Sequence, residues 1–153
     1  MTMKKKILCV LLITLLLVLG NYRGSRDRVG RDLQINLRAG TVLEDKDTHG
    51  GFHGDGDRWM VVKFEKDISK QLEENDDWKE MPLTENLEAA VHRFALFPDG
   101  VEASEGYYYF RDYHSQSTDT TDDSQLFSRY SYNFVLAIYD SQTRTLYYSE
   151  TDT

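Results

Sequence analysis

Cysteine is almost absent from this chain, and its one occurrence, Cys9, lies in the middle of an apolar run near the N-terminus. The 133 residues after Gly20 contain none, so no disulfide supports them and an apolar core must stabilise the fold alone. A bacterial lipoprotein carries its cysteine at the end of such a run, after a small residue. The position of Cys9 therefore argues against lipidation.

Motifs of nucleophilic and metal-dependent hydrolysis are also missing. The sequence contains no Gly-x-Ser-x-Gly and no His-Glu-x-x-His, and it offers no cysteine nucleophile outside the N-terminal run. From Thr41 to the end, ten basic residues face 24 acidic ones, a net charge of −14. Because of this acidic charge, a basic face that binds nucleic acid is not expected. Because the hydrolase motifs are missing, an enzyme is the less favoured class.

The N-terminal run itself predicts export. Lys4–Lys6 precede fourteen uncharged, mostly apolar residues over 7–20, a length near the upper end of a signal-peptide core of about 7–15 residues and short for a spanning helix of about 20. Val18 and Gly20 suit the −3 and −1 positions of a cleavage site. We predict a signal-anchor over 1–20, with a single pass of the cell membrane and the C-terminal domain outside. Secretion after a cut near Gly20 is the alternative.

A basic segment follows the apolar run. Between Asn21 and Gly40, five arginines stand against two aspartates, a net charge of +3. Glycine and serine within 21–31 predict a linker. The arginines in the segment Arg23–Arg31 are expected to lie near anionic lipid headgroups.

Residues 32–153 are predicted to form one α+β domain. The alternation of Leu33, Ile35 and Leu37 predicts a half-buried strand over 32–38. Further strands are expected over 41–44, 59–64, 106–112, 131–140 and 145–149, helices over 68–74 and from the capping Thr84 to Phe94, and an exposed loop over 115–124. The prediction is an antiparallel sheet of about five or six strands with two helices on one face, preceded by an N-terminal apolar helix.

Three stretches carry a family resemblance. They are Asp-Thr-His-Gly-Gly-Phe-His-Gly-Asp-Gly at 47–56, Gly-Tyr-Tyr-Tyr-Phe-Arg-Asp at 106–112 and Leu-Tyr-Tyr at 146–148. In this order they resemble a set of small uncharacterised proteins of Gram-positive bacteria, chiefly clostridia and their relatives, each with one N-terminal apolar segment. The resemblance implies an exported, membrane-associated protein of unknown function and supplies no catalytic residues.

The first stretch, which we call the glycine–histidine loop (residues 47–57), is a candidate site. Imidazole and carboxylate groups there suit Zn²⁺ or Ca²⁺, and the candidate ligands are His49, His53, Asp55 and Asp57, joined by Asp112 or His114 from the aromatic strand. Four glycines exclude a helical pair of histidines, and the pattern of a calcium loop is incomplete. The alternative is a structural connection that glycine permits.

The tyrosines are the second concentration. Nine of ten lie between Tyr107 and Tyr148, and Tyr107 and Tyr109 share one face of their strand. Most such rings build a core, but an exposed tyrosine face suits protein or glycan contacts. The predicted contact surface comprises the following residues: His49, Phe52, His53, Asp55, Tyr107 and Tyr109.

The function predicted from these features is a non-enzymatic binding module at the cell surface, which needs no cofactor and binds an unknown protein or cell-wall partner. Two alternatives stay open. One is a metal-dependent enzyme that uses His49, His53 and Asp55. The other is an immunity or inhibitor protein that meets a toxin at the membrane, for which an acidic surface is suitable.

Overall fold

A computed structural model describes residues 3–50, 54–97, 101 and 103–153. The chain forms two units, Met1–Arg38 and Ala39–Thr153, and each is considered by itself below. The first unit is helical, whereas the second contains a six-stranded sheet and two short helices. The α+β class that the sequence predicted is confirmed.

Helix α1 runs over Met3–Asp32 and includes residues 21–31, so the irregular linker expected there is not found. Two glycines each cost about 1 kcal/mol in a helix, but arginine is a good helix former and no proline interrupts the segment. Among the residues that the structure describes, no helix combines the length and the apolar character needed to cross a membrane. The predicted apolar membrane helix over 7–20 is thus not supported.

The strand predicted over 32–38 is wrong, because a helix ending occupies these residues. Gln34 adopts a left-handed φ of 56°. Its N–H donates to the Arg31 carbonyl at 3.1 Å, and the Ile35 N–H donates to the Gly30 carbonyl at 2.9 Å. This pair of bonds is a Schellman motif, which satisfies the last carbonyls of α1. A 3₁₀ turn over Leu37–Ala39 follows.

Six antiparallel strands form the sheet, as the sequence predicted. Their bounds are Gly40–Asp47 (β1), Gly56–Phe64 (β2), Trp78–Glu80 (β3), Gly106–Asp112 (β4), Asn133–Asp140 (β5) and Thr145–Asp152 (β6). The spatial order is β1-β2-β6-β5-β4-β3, with every neighbouring pair antiparallel. The short β3 has no counterpart among the predicted strands.

Both edges of the sheet are modified. Strand β1 carries an irregularity in register between Val42 and Glu44. At the other edge, β3 contributes only three residues. Bulges and short edge strands reduce the capacity of a sheet edge to pair with another chain.

The two helices of the second unit lie on opposite faces of the sheet, so the prediction of both on one face is wrong. Helix α3 (Glu85–Phe94) packs Leu87 and Ala90 against Phe110, Leu136 and Ile138. Helix α2 (Ser69–Glu73) follows Ile68, whose N–H donates to the hydroxyl of Tyr139 at 3.2 Å. Neighbours along a strand point to opposite faces, so Ile138 and Tyr139 place α3 and α2 on different sides.

Thr84 caps α3 as predicted. Its hydroxyl oxygen accepts the N–H of Leu87 at 3.2 Å, and the helix ends where Ala95 adopts a left-handed φ of 49°. The cap fixes where the helix begins after β3.

Candidate functional site

The glycine–histidine loop connects β1 to β2, and backbone pairing closes its base. The Thr48 N–H donates to the Asp57 carbonyl at 2.8 Å, and the Asp57 N–H donates to the Thr48 hydroxyl at 2.9 Å. At Gly56, an added Cβ would lie 2.6 Å from the Cα of His49. The two sides of the loop approach too closely at this position for any side chain. Glycine is therefore required there by the structure, which is the alternative that the sequence suggested for the loop.

His49 is engaged within its own loop. Its Nδ1 lies 2.7 Å from Oδ1 of Asp47, and its backbone N–H donates to the same oxygen at 3.0 Å. Burial raises the pKa of Asp47, but these bonds from His49 outweigh it, so the pKa of Asp47 lies below its usual value. The pair thus stabilises the turn into the loop.

The other candidate ligands are dispersed. Asp55 and Asp57 are exposed, whereas Phe52 and His53 lie outside the described residues. Asp57 and Asp112 occupy matching ends of β2 and β4, which are three interstrand spacings apart, roughly 14 Å. Since metal–ligand bonds are about 2–2.6 Å, this separation argues against one ion joining the loop to Asp112 or His114. No group of three His, Cys, Asp or Glu side chains suited to an ion occurs within the described part of the chain.

His114 contacts a serine instead. Its Nδ1 lies 3.2 Å from the hydroxyl of Ser131, which donates to the carbonyl of Thr153 at 2.7 Å. Asp112 accepts the backbone N–H of His114 and pairs with Arg129, so its carboxylate does not orient the imidazole. A nucleophilic serine needs its proton directed to a base that a third group orients. This arrangement provides neither condition.

Tyr107 and Tyr109 differ in exposure. Tyr109 is only 1% exposed and packs on Trp78 at a ring-centroid distance of 5.7 Å, so it belongs to the core. Tyr107 is half-buried, and its hydroxyl donates to Oε1 of Glu73 at 2.6 Å. Of the two tyrosines in the predicted contact surface, only Tyr107 reaches solvent.

Tyr107 lines an open cavity of about 590 Å³. Four carboxylates surround this acidic cavity: Asp67, Glu73, Glu80 and Glu105. None of its described lining residues is Lys, Arg or His, and none of the four carboxylates forms an ion pair within the described part of the chain. A concave site with several unneutralised carboxylates favours cationic ligands.

Strand pairing positions the acidic cavity. Glu80 of β3 pairs with Tyr107 of β4, which pairs with Tyr139 of β5, so the three residues share one face. Gly106 adopts a φ of 130°, and an added Cβ there would lie 1.9 Å from the carbonyl oxygen of Tyr139. Only glycine permits this approach, which starts β4 directly beside the end of β5.

The hydrogen bonds of the cavity shift the pKa values of two of its lining residues. The hydrogen bond to Glu73 is the largest cause that raises the pKa of Tyr107, to about 12, followed by burial and by the charges of Glu73, Glu80 and Asp67. Burial raises the pKa of Asp67, but hydrogen bonds from Tyr139 and Ser69 outweigh it, so the pKa lies below the usual value. Asp67 is therefore ionised at neutral pH.

The sequence did not indicate the acidic cavity, because its four carboxylates come from four separate segments. Asp67 precedes α2, Glu73 ends it, Glu80 ends β3 and Glu105 precedes β4. The register of the short, unpredicted β3 adds Glu80 to this group by placing it beside Tyr107. A correct prediction of β3 would have placed Glu80 beside Tyr107.

Comparison with known proteins adds no relative: no family model matches the chain, and no curated protein or solved structure matches it either.

Proposed function

We propose that this protein is exported and acts outside the cell membrane as a non-enzymatic binding module, in which the unit Ala39–Thr153 recognises a basic protein or cell-wall partner. The observation that carries the proposal is the acidic cavity, whose four carboxylates form no ion pair among the described residues. The whole unit supports it, since ten basic and 24 acidic residues give a net charge of −14. Such a field accelerates encounter with a basic partner and disfavours acidic ones.

The N-terminal segment supports the location. Apolar side chains between Ile7 and Leu17 are 55–67% exposed. A run of exposed apolar side chains needs a non-aqueous surface, and the lysines before it favour a start in the cytoplasm. We propose membrane attachment through residues 7–20, with arginines of Arg23–Arg31 near anionic headgroups. Secretion after cleavage near Gly20 is the alternative form of the same proposal.

An immunity or inhibitor role is a narrower form, in which the basic partner is a toxin. The −14 charge favours it over the metal-dependent alternative, for which His49, His53 and Asp55 would have to act together. Of these three, His49 already contacts the carboxylate of Asp47 through Nδ1, and Asp55 is exposed to solvent.

Location is tested with intact cells that express the full chain with a C-terminal tag. Added protease should remove the tag without lysis, and membranes should retain the protein. Mass spectrometry of the N-terminus then separates the two forms, because a mature chain that starts at Asn21 indicates secretion. A tag that stays protected until lysis would contradict export.

Binding is tested with a photo-crosslinking amino acid at Gln142, which is exposed and lines the acidic cavity, and at Gln116, which is exposed in the 115–124 loop. We expect a cross-linked product from Gln142 that weakens in high salt and in the Glu80→Gln/Glu105→Gln variant. Equal products from both positions would contradict a binding site at the cavity.

A further inference from the structure

A second cavity, of about 540 Å³, lies on the α3 face of the sheet. Ile138 of β5 lines it, and the same side chain belongs to the core cluster that contains Leu87 of α3. Tyr107, which lines the acidic cavity, pairs with Tyr139 and therefore points to the opposite face. The two cavities thus lie on different faces of the sheet, and we call this second one the apolar cavity.

Helix α3, two chain segments and one strand build the apolar cavity. Glu88, Val91 and His92 lie at positions i, i+3 and i+4 of α3, so they share one flank of the helix. The chain between β3 and α3 and the chain before β4 supply further walls, and Ile138, which is only 3% exposed, forms the floor. The aliphatic lining includes the following residues: Met81, Leu83, Val91, Val101, Ala103 and Ile138.

The aliphatic walls of this cavity are only half covered by protein. Met81, Leu83, Val91 and Ala103 pack against the core cluster with part of their surface, and the rest meets solvent. A concave group of such side chains gains free energy when an apolar ligand displaces water from it. No aromatic ring lines the cavity among the described residues, so a flexible alkyl chain matches this lining better than a planar ring.

Polar side chains mark the mouth of the apolar cavity. They are Glu88, His92 and Ser104, and all three are exposed. Glu88 forms no ion pair in the part of the chain that the structure describes, and no Lys or Arg occurs among the described lining residues. The imidazole of His92 and the hydroxyl of Ser104 can each accept a hydrogen bond. One carboxylate and two further acceptors favour a cationic head group with several N–H donors.

We propose that the apolar cavity binds an aliphatic amine, with the alkyl chain against Leu83, Val91 and Ile138 and the ammonium group at Glu88. This site is additional to the binding of a basic partner at the acidic cavity and does not depend on it. A fatty acid offers the same chain, but its carboxylate would meet Glu88 and the net charge of −14 from Thr41 onward. The volume lies within the range of about 300–1,000 Å³ typical of ligand sites.

The test uses the full chain in nanodiscs of zwitterionic lipid, with isotope-labelled Ile, Leu and Val methyl groups observed by NMR. Hexylamine should shift the methyl resonances of Leu83, Val91 and Ile138 in a saturable manner. Leu43, which is 63% exposed on β1, is the internal control and should not shift. Empty nanodiscs titrated in parallel correct the free amine concentration for partitioning into lipid.

A series of ligands separates the chain from the head group. Butylamine should bind roughly tenfold more weakly than hexylamine, because each buried methylene contributes a factor of roughly three to four. Hexanol keeps the chain without the charge and should bind roughly twofold to fivefold more weakly than hexylamine, as expected for the loss of one exposed ion pair. Hexanoate should bind more weakly than hexanol, because the charge of Glu88 opposes it.

On the protein side, Glu88→Gln keeps the side-chain shape and removes the charge. Hexylamine and hexanol should then bind equally, whereas the difference between hexylamine and butylamine should remain. The matched control is Glu85→Gln, which removes an exposed charge from the same helix outside the cavity lining. This control should change the binding of hexylamine less than about twofold.

Several outcomes would overturn the inference. If the methyl resonances of the cavity do not shift, or if Leu43 shifts as much as Val91, the cavity is not the site. Equal binding of hexylamine and hexanoate, or equal losses in Glu88→Gln and Glu85→Gln, would rule out recognition of the amine by Glu88. None of these results affects the proposed function, which the cross-link at Gln142 tests at the acidic cavity.

Discussion

The glycine–histidine loop and the acidic cavity make an instructive contrast. The loop is the most distinctive stretch of the sequence, yet the side chains of Asp47, Thr48 and His49 form hydrogen bonds within the loop itself. The cavity has no sequence motif, yet its four exposed carboxylates form no ion pair in the part of the chain that the structure describes. A local sequence pattern predicts which residues stabilise a turn. A cavity whose residues come together through strand pairing can be predicted only when the order of the strands is known.

The sharpest way to break the contrast is a glycine substitution in each region. Gly106→Ala would force a Cβ to within 1.9 Å of the Tyr139 carbonyl at a φ of 130°, so we expect a loss of about 3 kcal/mol or more in the free energy of unfolding. In the loop, Gly50→Ala meets its nearest atom only at 3.9 Å and should cost less than about 0.5 kcal/mol. Urea unfolding followed by circular dichroism measures both. Equal losses would show that the loop is as constrained as the cavity.

The next effect concerns helix α3, whose Leu87 and Ala90 belong to the core cluster. Thr84→Ala removes the oxygen that accepts the Leu87 N–H, which should lower the free energy of unfolding by about 1 kcal/mol. Thr84→Ser retains that acceptor and is the control. Thermal melting compares the three proteins, and an unchanged Thr84→Ala melting temperature would mean that packing alone holds α3.

A pH titration sharpens the electrostatic side of the comparison. The pKa of Tyr107 and that of Tyr139 are both raised to about 12, Tyr107 chiefly by its bond to Glu73 and Tyr139 chiefly by burial. Since these values exceed the value of about 10 of an unfolded tyrosine, their contribution to stability is complete below pH 10 and is lost as pH rises through 12.

Phenolate absorbance in the native protein tests this assignment. Tyr107→Phe should remove one late-titrating group and leave the Tyr139 step in place. A wild-type protein whose tyrosines all titrate near their ordinary pKa would contradict both the bond between Tyr107 and Glu73 and the effect of burial on Tyr139.

The smallest effect is expected in the loop. His49→Ala should change stability by less than about 0.5 kcal/mol, because the contact with Asp47 is partly exposed. It should also return the pKa of Asp47 toward its usual value, which NMR titration can follow. A zinc-dependent rise in the wild-type melting temperature that disappears in His49→Ala would instead make the loop a metal site.

Sequence reasoning succeeded where local chemistry decides the structure. Strand β4 begins and ends at the predicted residues, Gly106 and Asp112, and Thr84 caps its helix as expected. It failed where one sequence pattern is compatible with two local structures, a strand and the end of a helix. Leu33, Ile35 and Leu37 alternate as a strand does, but Gln34 accepts a left-handed conformation that ends a helix instead.

The site was less predictable than the fold. Among the predicted contact residues that the structure describes, Tyr107 alone lines the acidic cavity. The carboxylate positions depend on β3, whose three residues carry too short a pattern to signal a strand, and on the placement of α2 and α3 on opposite faces. Both properties are decided by long-range pairing, which alternation of residues does not encode.

The edges of the sheet have a consequence for how this protein meets others. An irregular β1 and a three-residue β3 leave no long straight row of free backbone groups on which a seventh strand could form. Crowded copies of the chain are thereby protected from growing into shared sheets. In the proposed function, a partner would therefore be recognised through side chains, and selectivity would depend on its sequence and not on its readiness to become a strand.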